Sequence, residues 1–168
     1  MIVMLNGAFG VGKTTLANAL LAERPDWMLF DPEEVGAMLW KICPEPRGDF
    51  QELGAWAPLV VETARALIAS YGRTLVVPMT LVDPRNYQIV RKGFDGIACT
   101  HHFALVAPRE TIAQRLSGRG SDRWAFDQID RCVSALGRPE FARHLDANSE
   151  LNRLVEQVLG GILSDPAQ

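Results

Sequence analysis

A glycine-rich segment near the start of the chain has the residue types that bind a polyphosphate. Residues 7–14 read Gly-Ala-Phe-Gly-Val-Gly-Lys-Thr, the complete pattern G-x-x-x-x-G-K-[ST], after an apolar run and before a helical stretch. Glycines let the backbone approach an anion, so that its N–H groups and the helix amino end point at the phosphates. Lys13 would supply positive charge, and the Thr14 hydroxyl would bind Mg²⁺ between the β and γ phosphates. The predicted nucleotide site comprises Gly7, Ala8, Phe9, Gly10, Val11, Gly12, Lys13, Thr14 and Thr15. The alternative, a strand–turn–helix corner with glycines for a tight turn, fits the context less well.

A carboxylate follows the second apolar run of the chain, residues 27–30. Asp31 would stand at the carboxyl end of a strand, where ligands gather in open parallel sheets. There it could take the proton of an acceptor hydroxyl and also hold a water of Mg²⁺. The segment Asp-Pro-Glu-Glu at 31–34 is also a good helix start, with Asp as N-cap and Pro in the first position. The two roles are compatible.

Three arginines recur at intervals of four in the second half of the chain: Arg115, Arg119 and Arg123. The first two would share a helix face, and Gly118 and Gly120, on either side of Arg119, would let the following segment move. We interpret residues 118–124 as a short lid that brings guanidinium groups to the γ-phosphate and excludes water. The alternative is a solvated face whose arginines pair with neighbouring acids.

Length and composition restrict the classes of protein that remain. The 168 residues suit one domain, and 17 basic against 20 acidic residues give a net charge of −3, which does not favour a nucleic-acid partner. No apolar run reaches the roughly 18 residues that a transmembrane helix needs, so we expect a cytoplasmic protein. The three cysteines form no C-x-x-C pair, which argues against a disulfide framework or a cysteine zinc site.

The elements that must position these residues alternate along the chain. Apolar runs predict strands at 2–5, 27–30, 75–79, 102–106 and near 143–146. The clearest helical stripes are 56–71, ended by Gly72, and 151–162, with Ser149 as the predicted N-cap. Alternating strands and helices imply parallel βαβ units, and hence a three-layer α/β sandwich of about five strands.

Missing features narrow the class of P-loop protein. Neither N-K-x-D nor D-x-x-G occurs, so a GTPase is not favoured. The predicted third strand ends in Pro-Met-Thr at 78–80 without a carboxylate, which argues against most motor-type ATPases. A small-molecule kinase tolerates that gap.

A loop between two predicted helices would cover the acceptor side. Residues 42–50 contain two prolines and a glycine, and apolar side chains flank them. The predicted acceptor wall comprises Met38, Trp40, Phe50 and Trp56, with Met79 and Thr80 at the end of the third strand and Asp31 beside them. Alternatively, Trp56 begins a core stripe, and Met38 and Trp40 pack locally.

With these motifs in hand, the chain resembles the tunicamycin-resistance protein family over nearly its whole length. The segments that carry the resemblance are residues 1–14, Asp31-Pro-Glu with Gly36, Val-Pro-Met-Thr at 77–80, His-His-Phe at 101–103 with Leu105, and Gln-Ile-Asp-Arg-Cys at 128–132. More distantly the chain is similar to chloramphenicol phosphotransferase and to shikimate and adenylate kinases. The similarity implies an ATP-dependent phosphotransferase with strand order 2-3-1-4-5 and a lid.

The resemblance also implies roles for individual residues. It implies that Asp31 is the base, that Arg115 stacks on adenine, that Arg119 and Arg123 contact phosphate, and that the loop with Asn148 passes over adenine. Nucleotide kinases usually offer an acid and an arginine at the end of strand three, and Pro-Met-Thr replaces them here. A neutral, hydroxyl-bearing acceptor is therefore favoured, and tunicamycin is the one that the family suggests.

Three functions remain open at this point. The first is phosphorylation of a hydroxyl of a nucleoside-like antibiotic such as tunicamycin, with ATP and Mg²⁺, which would confer resistance. The second is ATP-dependent binding of tunicamycin without phosphate transfer. The third is a housekeeping nucleoside or metabolite kinase.

Overall fold

The computed structural model describes residues 1–43, 48–121, 123–141 and 143–164. Five strands form one parallel sheet in the order β2-β3-β1-β4-β5, which confirms the expected order. The strands are β1 (Ile2–Gly7), β2 (Met28–Leu29), β3 (Leu75–Met79), β4 (Thr100–Val106) and β5 (Arg143–Asp146).

The burial of the strands follows their place in the sheet. Every residue of β1, the central strand, is buried, as expected when helices cover both faces. The edge strand β2 is shorter than the predicted 27–30 because only Met28 and Leu29 pair with β3 in the ladder. The N–H of Phe30 still donates to the carbonyl of Val76 at 2.9 Å, which keeps the chain beside β3 until Asp31.

Eight α-helices connect or follow the strands within the described residues. They are α1 (Lys13–Glu23), α2 (Pro32–Ile42), α3 (Trp56–Tyr71), α4 (Pro84–Asp95), α5 (Arg109–Gly118), α6 (Arg123–Asp127), α7 (Ile129–Leu136) and α8 (Leu151–Leu163). None of these helices is long and apolar enough to cross a membrane.

Two predicted helix ends have different outcomes. Gly72 ends α3 in the left-handed region at φ 63°, as expected from a glycine after an apolar stripe. The predicted N-cap of the last helix is wrong: Glu150 holds that position, without a side-chain capping bond. The N–H of Ser149 instead donates to the carbonyl of Asp146 at 3.0 Å, so Ser149 belongs to the turn after β5.

Apolar clusters fill both sides of the sheet. Val3 and Leu5 pack in a cluster that includes residues of α1, α5, α7 and α8. Ile2 and Met4 point the other way, into a cluster with residues of α2, α3 and α4. The chain is thus a three-layer α/β sandwich, and the loops at the carboxyl ends of its parallel strands meet at one edge.

Candidate functional site

The turn between β1 and α1 has the backbone geometry of a phosphate-binding loop. Gly10 (φ 78°) and Gly12 (φ 114°) lie in the left-handed region that favours glycine. A Cβ atom on Gly12 would meet no atom within 4 Å, so the space beside its backbone is open to a ligand. Gly12 also precedes the first turn of α1 without a side-chain cap, which leaves N–H groups at the helix start available to an anion.

Lys13 is held beneath this turn by neutral groups. Its Nζ donates to the carbonyl of Ala8 at 2.9 Å and to Oγ1 of Thr80 at 2.8 Å. The Thr80 hydroxyl in turn donates to the carbonyl of Gly7 at 2.8 Å. Burial lowers the pKa of Lys13 to about 8, and the nearby charge of Glu33 acts in the opposite direction.

Thr80 therefore has a different position from the predicted one. It is 5% exposed and contacts the phosphate-binding loop, so its hydroxyl does not face an acceptor. Asn6, which the sequence interpretation missed, makes a second tie between β1 and the segment after β3. Its side chain accepts from the N–H of Leu81 at 2.9 Å and donates to the carbonyl of that residue at 2.8 Å. The available signal was a polar residue between the apolar run and the first glycine of the phosphate-binding loop.

Two carboxylates lie at the start of α2, directly after β2. Asp31 is the N-cap of α2, as predicted, and its Oδ1 accepts from the N–H of Glu33 at 2.9 Å. Burial and the charge of Asp31 raise the pKa of Glu33, and Lys13 opposes that rise. Glu33 was not singled out from the sequence, although an acid two positions after Asp31 on a first helical turn was visible there.

A cavity of about 390 Å³ lies beside the start of α2 and the phosphate-binding loop. It is lined by Phe9, Glu33, Trp40, Gly48, Asp49, Phe50 and Trp124. The rings are arranged in edge-on pairs, with 5.0 Å between the centroids of Phe9 and Trp124 and 5.4 Å between those of Trp40 and Phe50. The sequence interpretation missed Trp124 as a wall residue because it lies far along the chain from the other rings.

The residues of the predicted acceptor wall do not all lie at one cavity. Phe50 and Trp40 line the cavity, whereas Met38 is 44% exposed outside it. Trp56 and Met79 are each 1% exposed and belong to the apolar core on the α2–α4 side of the sheet. The indole of Trp56 donates to the carbonyl of Pro32 at 3.1 Å, so it supports the start of α2 and does not face a ligand.

A second cavity, of about 260 Å³, lies on the other side of the phosphate-binding loop. Arg115 borders it and bridges the loop to the turn after β5, donating to the carbonyls of Val11 and Ala147, each at 2.9 Å. Arg119, at the end of α5, lines the same cavity, so the structure brings these two arginines together as predicted. Thr15, Ser149 and Leu151 complete the side nearest α8.

Two predicted residues lie apart from this cavity. Asn148 lines a separate apolar cavity of about 390 Å³, bordered by Pro108 and Cys132. Arg123, whose side chain is 94% exposed, lies 4.0 Å from Asp127 (Nε to Oδ2) and does not reach the phosphate-binding loop here. Within the predicted lid, residue 122 lies outside the described residues.

The residues present fit ATP and Mg²⁺. Thr14 and Thr15 are exposed at the start of α1, and the Asp31 carboxylate follows β2, which β3 separates from β1 in the sheet, so the available donors are hard oxygens. The described part of the chain holds no cluster of three or more His, Cys, Asp or Glu side chains suited to a metal. Mg²⁺ commonly relies on one or two protein oxygens together with the phosphates, so Thr14 and Asp31 would suffice.

Sheet order, phosphate-binding loop and cavities together define the P-loop kinase fold. The sequence pattern of a family described as "AAA domain" matches residues 2–144. The chain therefore belongs to this family of AAA domains. No curated protein sequence matches the chain.

Solved structures support the same fold. The chain is similar to the tunicamycin resistance protein of Deinococcus radiodurans, with 29% identity over 96% of this chain and 94% of that one and a TM-score of 0.82. A gluconokinase from Sinorhizobium meliloti 1021 is 16% identical over 96% of this chain and 91% of that one, with a TM-score of 0.69. Shikimate kinase from Acinetobacter baumannii, in complex with shikimate, is 16% identical over 99% and 95%, with a TM-score of 0.66. The last two likenesses concern the fold alone.

Proposed function

We propose that the protein is an ATP- and Mg²⁺-dependent phosphotransferase that phosphorylates a hydroxyl of a small molecule. The observation that carries this proposal is the position of the phosphate-binding loop between two cavities. One is bordered by Arg115 and Arg119 and suits the nucleotide, and the other is bordered by Glu33 beside Asp31 and suits an acceptor. The likeness to a tunicamycin resistance protein makes tunicamycin the first acceptor to test.

The described residues have defined tasks in this reaction. The backbone at Gly10–Gly12 and the ammonium of Lys13 bind the β and γ phosphates, while the acceptor hydroxyl approaches from the opposite cavity. Thr14 and Asp31 would hold Mg²⁺, which would supply positive charge to offset that of the phosphates. The hydroxyl oxygen bonds to the γ-phosphorus as the bond to the ADP oxygen breaks, and the hydroxyl proton passes to a carboxylate.

Asp31 is the proposed base, because its Oδ2 is not used by the capping bond to Glu33. We propose that Arg119 and Arg123 contribute positive charge at the γ-phosphate, which for Arg123 requires α6 to move from its present position. Arg115 then offers its planar guanidinium to the adenine, and Asn148 would contact adenine only after the turn following β5 rearranges.

Substitutions of the two carboxylates at the start of α2, Asp31 and Glu33, test which one is the base. We expect Asp31→Asn to lower kcat for a confirmed acceptor by roughly 10² to 10⁴, the usual contribution of a general base. Asparagine is also a good N-cap, so α2 should persist, and its amide oxygen can still accept a hydrogen bond from a water of Mg²⁺, so Mg·ATP should bind more weakly without being lost. Steady-state kinetics and calorimetric binding of a non-hydrolysable ATP analogue measure the two effects.

Glu33→Gln is the matched comparison for this experiment. It removes the neighbouring carboxylate while keeping the side-chain length, and we expect mainly a higher KM for the acceptor. A larger fall in kcat for Glu33→Gln than for Asp31→Asn would move the base to Glu33. Unchanged kcat in both variants would refute a carboxylate base at the start of α2.

A second candidate function is binding of tunicamycin without chemistry. It is favoured by the same likeness, because a resistance protein can act by sequestration. Mass spectrometry of tunicamycin recovered after incubation with Mg·ATP separates the two, since phosphate adds about 80 Da and binding adds nothing. Consumption of ATP with ordinary nucleosides or sugars but not with tunicamycin would instead indicate a housekeeping kinase.

A further inference from the structure

Four aromatic rings surround the cavity that Glu33 lines, next to the proposed base Asp31, and two of these rings leave much of their surface exposed. Trp40 of α2 is 43% exposed and Trp124 of α6 is 45% exposed. Each indole is held by the edge contact with a phenylalanine, Phe50 for Trp40 and Phe9 for Trp124. Exposed indoles whose orientation is fixed by neighbouring rings offer prearranged surfaces for a flat ligand.

Charge restricts the ligand further. Glu33 and Asp49 line the cavity, and no lysine or arginine of the described residues does. Among the described residues that line the cavity, an anionic ligand would meet two carboxylates and no cation, which disfavours its binding. The charge of Glu33 is partly balanced by Lys13, and Oδ1 of Asp49 already accepts from the N–H of Gln51 at 3.0 Å, so the cavity is not a strong cation trap either.

The remaining carboxylate oxygens can only accept hydrogen bonds while they are ionised. A purely apolar ligand would desolvate these carboxylate oxygens without offering a hydrogen-bond donor, which costs free energy. A ring that bears hydroxyl or N–H groups satisfies them and can also lie flat on an indole. The cavity therefore fits an uncharged, donor-bearing ring.

We infer that this cavity takes an uncharged ring of the acceptor, and that Trp124 is a specificity-determining residue that contacts it. The inference rests on the proposed function and specifies its substrate class. Trp124 also touches Phe9 of the phosphate-binding loop and follows Arg123 on the same short helix. Because Trp124 and Arg123 lie on the same short helix, binding of a ring against Trp124 is coupled to the position of Arg123.

Probes of similar size and different charge test the ring chemistry. N-acetylglucosamine and uridine are the uncharged probes, one a sugar and one carrying a nucleobase, while glucosamine is cationic and gluconate and shikimate are anionic. Calorimetry with a saturating non-hydrolysable ATP analogue and Mg²⁺ measures binding, and mass spectrometry with Mg·ATP measures product. We expect an uncharged probe to bind at least roughly tenfold more tightly than any charged one.

Substitutions of Trp124 test whether this residue contacts the bound ring. We expect Trp124→Ala to weaken the uncharged probe by about 5-fold to 100-fold, the range of a lost aromatic stacking contact, and to weaken the ATP analogue by less, because Trp124 reaches the phosphate-binding loop only through its contact with Phe9. Trp124→Phe should restore part of the affinity, because a ring remains. Tyr71→Ala, which removes a 63% exposed aromatic side chain at the end of α3, is the matched control and should change neither affinity.

The outcomes separate this inference from the proposed function. Preference for a charged probe, no binding of any uncharged probe, or unchanged probe affinity in Trp124→Ala overturns the inference. An uncharged probe that binds through Trp124 but never acquires phosphate supports the inference and counts against phosphate transfer. The difference in affinity between N-acetylglucosamine and uridine shows whether the cavity prefers a sugar ring or a nucleobase.

Discussion

Lys13 illustrates how single residues prepare this site. The lysine is buried against a carbonyl and a hydroxyl, and neither group carries the full negative charge that an ammonium attracts most strongly. Burial accordingly lowers its pKa to about 8. A phosphate beside it would replace weak partners with a strong one, so charge on Lys13 and affinity for ATP should be linked.

This linkage gives a prediction at the residue scale. As pH rises through about 8, Lys13 loses its proton in the free protein, so the affinity for Mg·ATP should fall by up to roughly tenfold per pH unit above that value. Calorimetric titrations between about pH 7 and pH 9.5 measure this slope. Lys13→Met keeps most of the side chain without the charge, and Lys13→Ala removes both.

Both variants should bind Mg·ATP weakly at every pH in that range. Affinity in the native protein that is independent of pH would show that Lys13 does not titrate there. Binding by Lys13→Ala as tight as that of the native protein would remove the phosphate-binding role itself.

Packing between elements shapes the acceptor cavity. The 3₁₀ turn Phe50–Glu52 approaches α2 so closely that a Cβ atom on Gly36 would overlap the ring of Phe50. Gly36 is therefore needed for side-chain space, since its backbone is helical. Phe50 in turn lies 5.7 Å from Trp56, ring centroid to ring centroid, which places a core residue directly behind the cavity wall.

Gly36→Ala tests this contact at the scale of elements. The added methyl group must displace Phe50, so we expect a loss of about 1–3 kcal/mol in the free energy of unfolding and a higher KM for the acceptor. Denaturant unfolding and acceptor kinetics measure the two effects. Gly160→Ala is the matched control, because that Cβ would meet no atom within 4 Å on α8.

In the control, alanine should stabilise α8 by up to about 1 kcal/mol through helix propensity. Equal behaviour of the two alanine variants would mean that the close approach of Phe50 to α2 does not constrain the protein. An unchanged acceptor KM together with lower stability would separate Phe50 from acceptor binding.

At the scale of the whole molecule, a buried histidine links the sheet to the helices around it. His102 of β4 is 5% exposed, and its Nδ1 lies 3.1 Å from the hydroxyl of Tyr87 on α4. That hydroxyl donates to the carbonyl of Glu140 at 3.0 Å. Burial lowers the pKa of His102 to about 3, and the charge of Arg91 acts in the same direction.

Global stability should therefore depend on pH through His102. The unfolded chain binds a proton at this side chain below about pH 6.5, while the folded protein stays neutral there until about pH 3. The stabilising contribution is fully present above the higher value and is lost as pH falls between the two. The slope from this one group is at most about 1.4 kcal/mol per pH unit.

His102→Gln keeps hydrogen-bonding capacity but does not titrate. Because carboxylates also titrate in this range, the informative quantity is the difference in unfolding free energy between native protein and variant at each pH, measured with urea. We expect that difference to shrink or change sign as pH falls from about 6.5 to 4. A constant difference would mean that His102 is not kept neutral by the fold.

The sequence by itself determined the features that depend on neighbours in the chain. The phosphate-binding loop, the Asp31 cap and the end of α3 at Gly72 each follow from a few consecutive residues and their backbone preferences. The alternation of strands and helices indicated the three layers, because a strand covered on both faces reads as a continuous apolar run. Strand order was beyond that pattern and came from the family resemblance.

Only the tertiary structure decided which distant side chains meet. Thr80 binds Lys13 across 67 positions of the chain, and Trp124 meets Phe9 across a greater distance still. The sequence also could not tell that Trp56 would be buried behind Phe50, because a residue at the start of an amphipathic helix can face either core or cavity. Such contacts depend on how layers pack at the sheet edge, and local spacing does not carry that information.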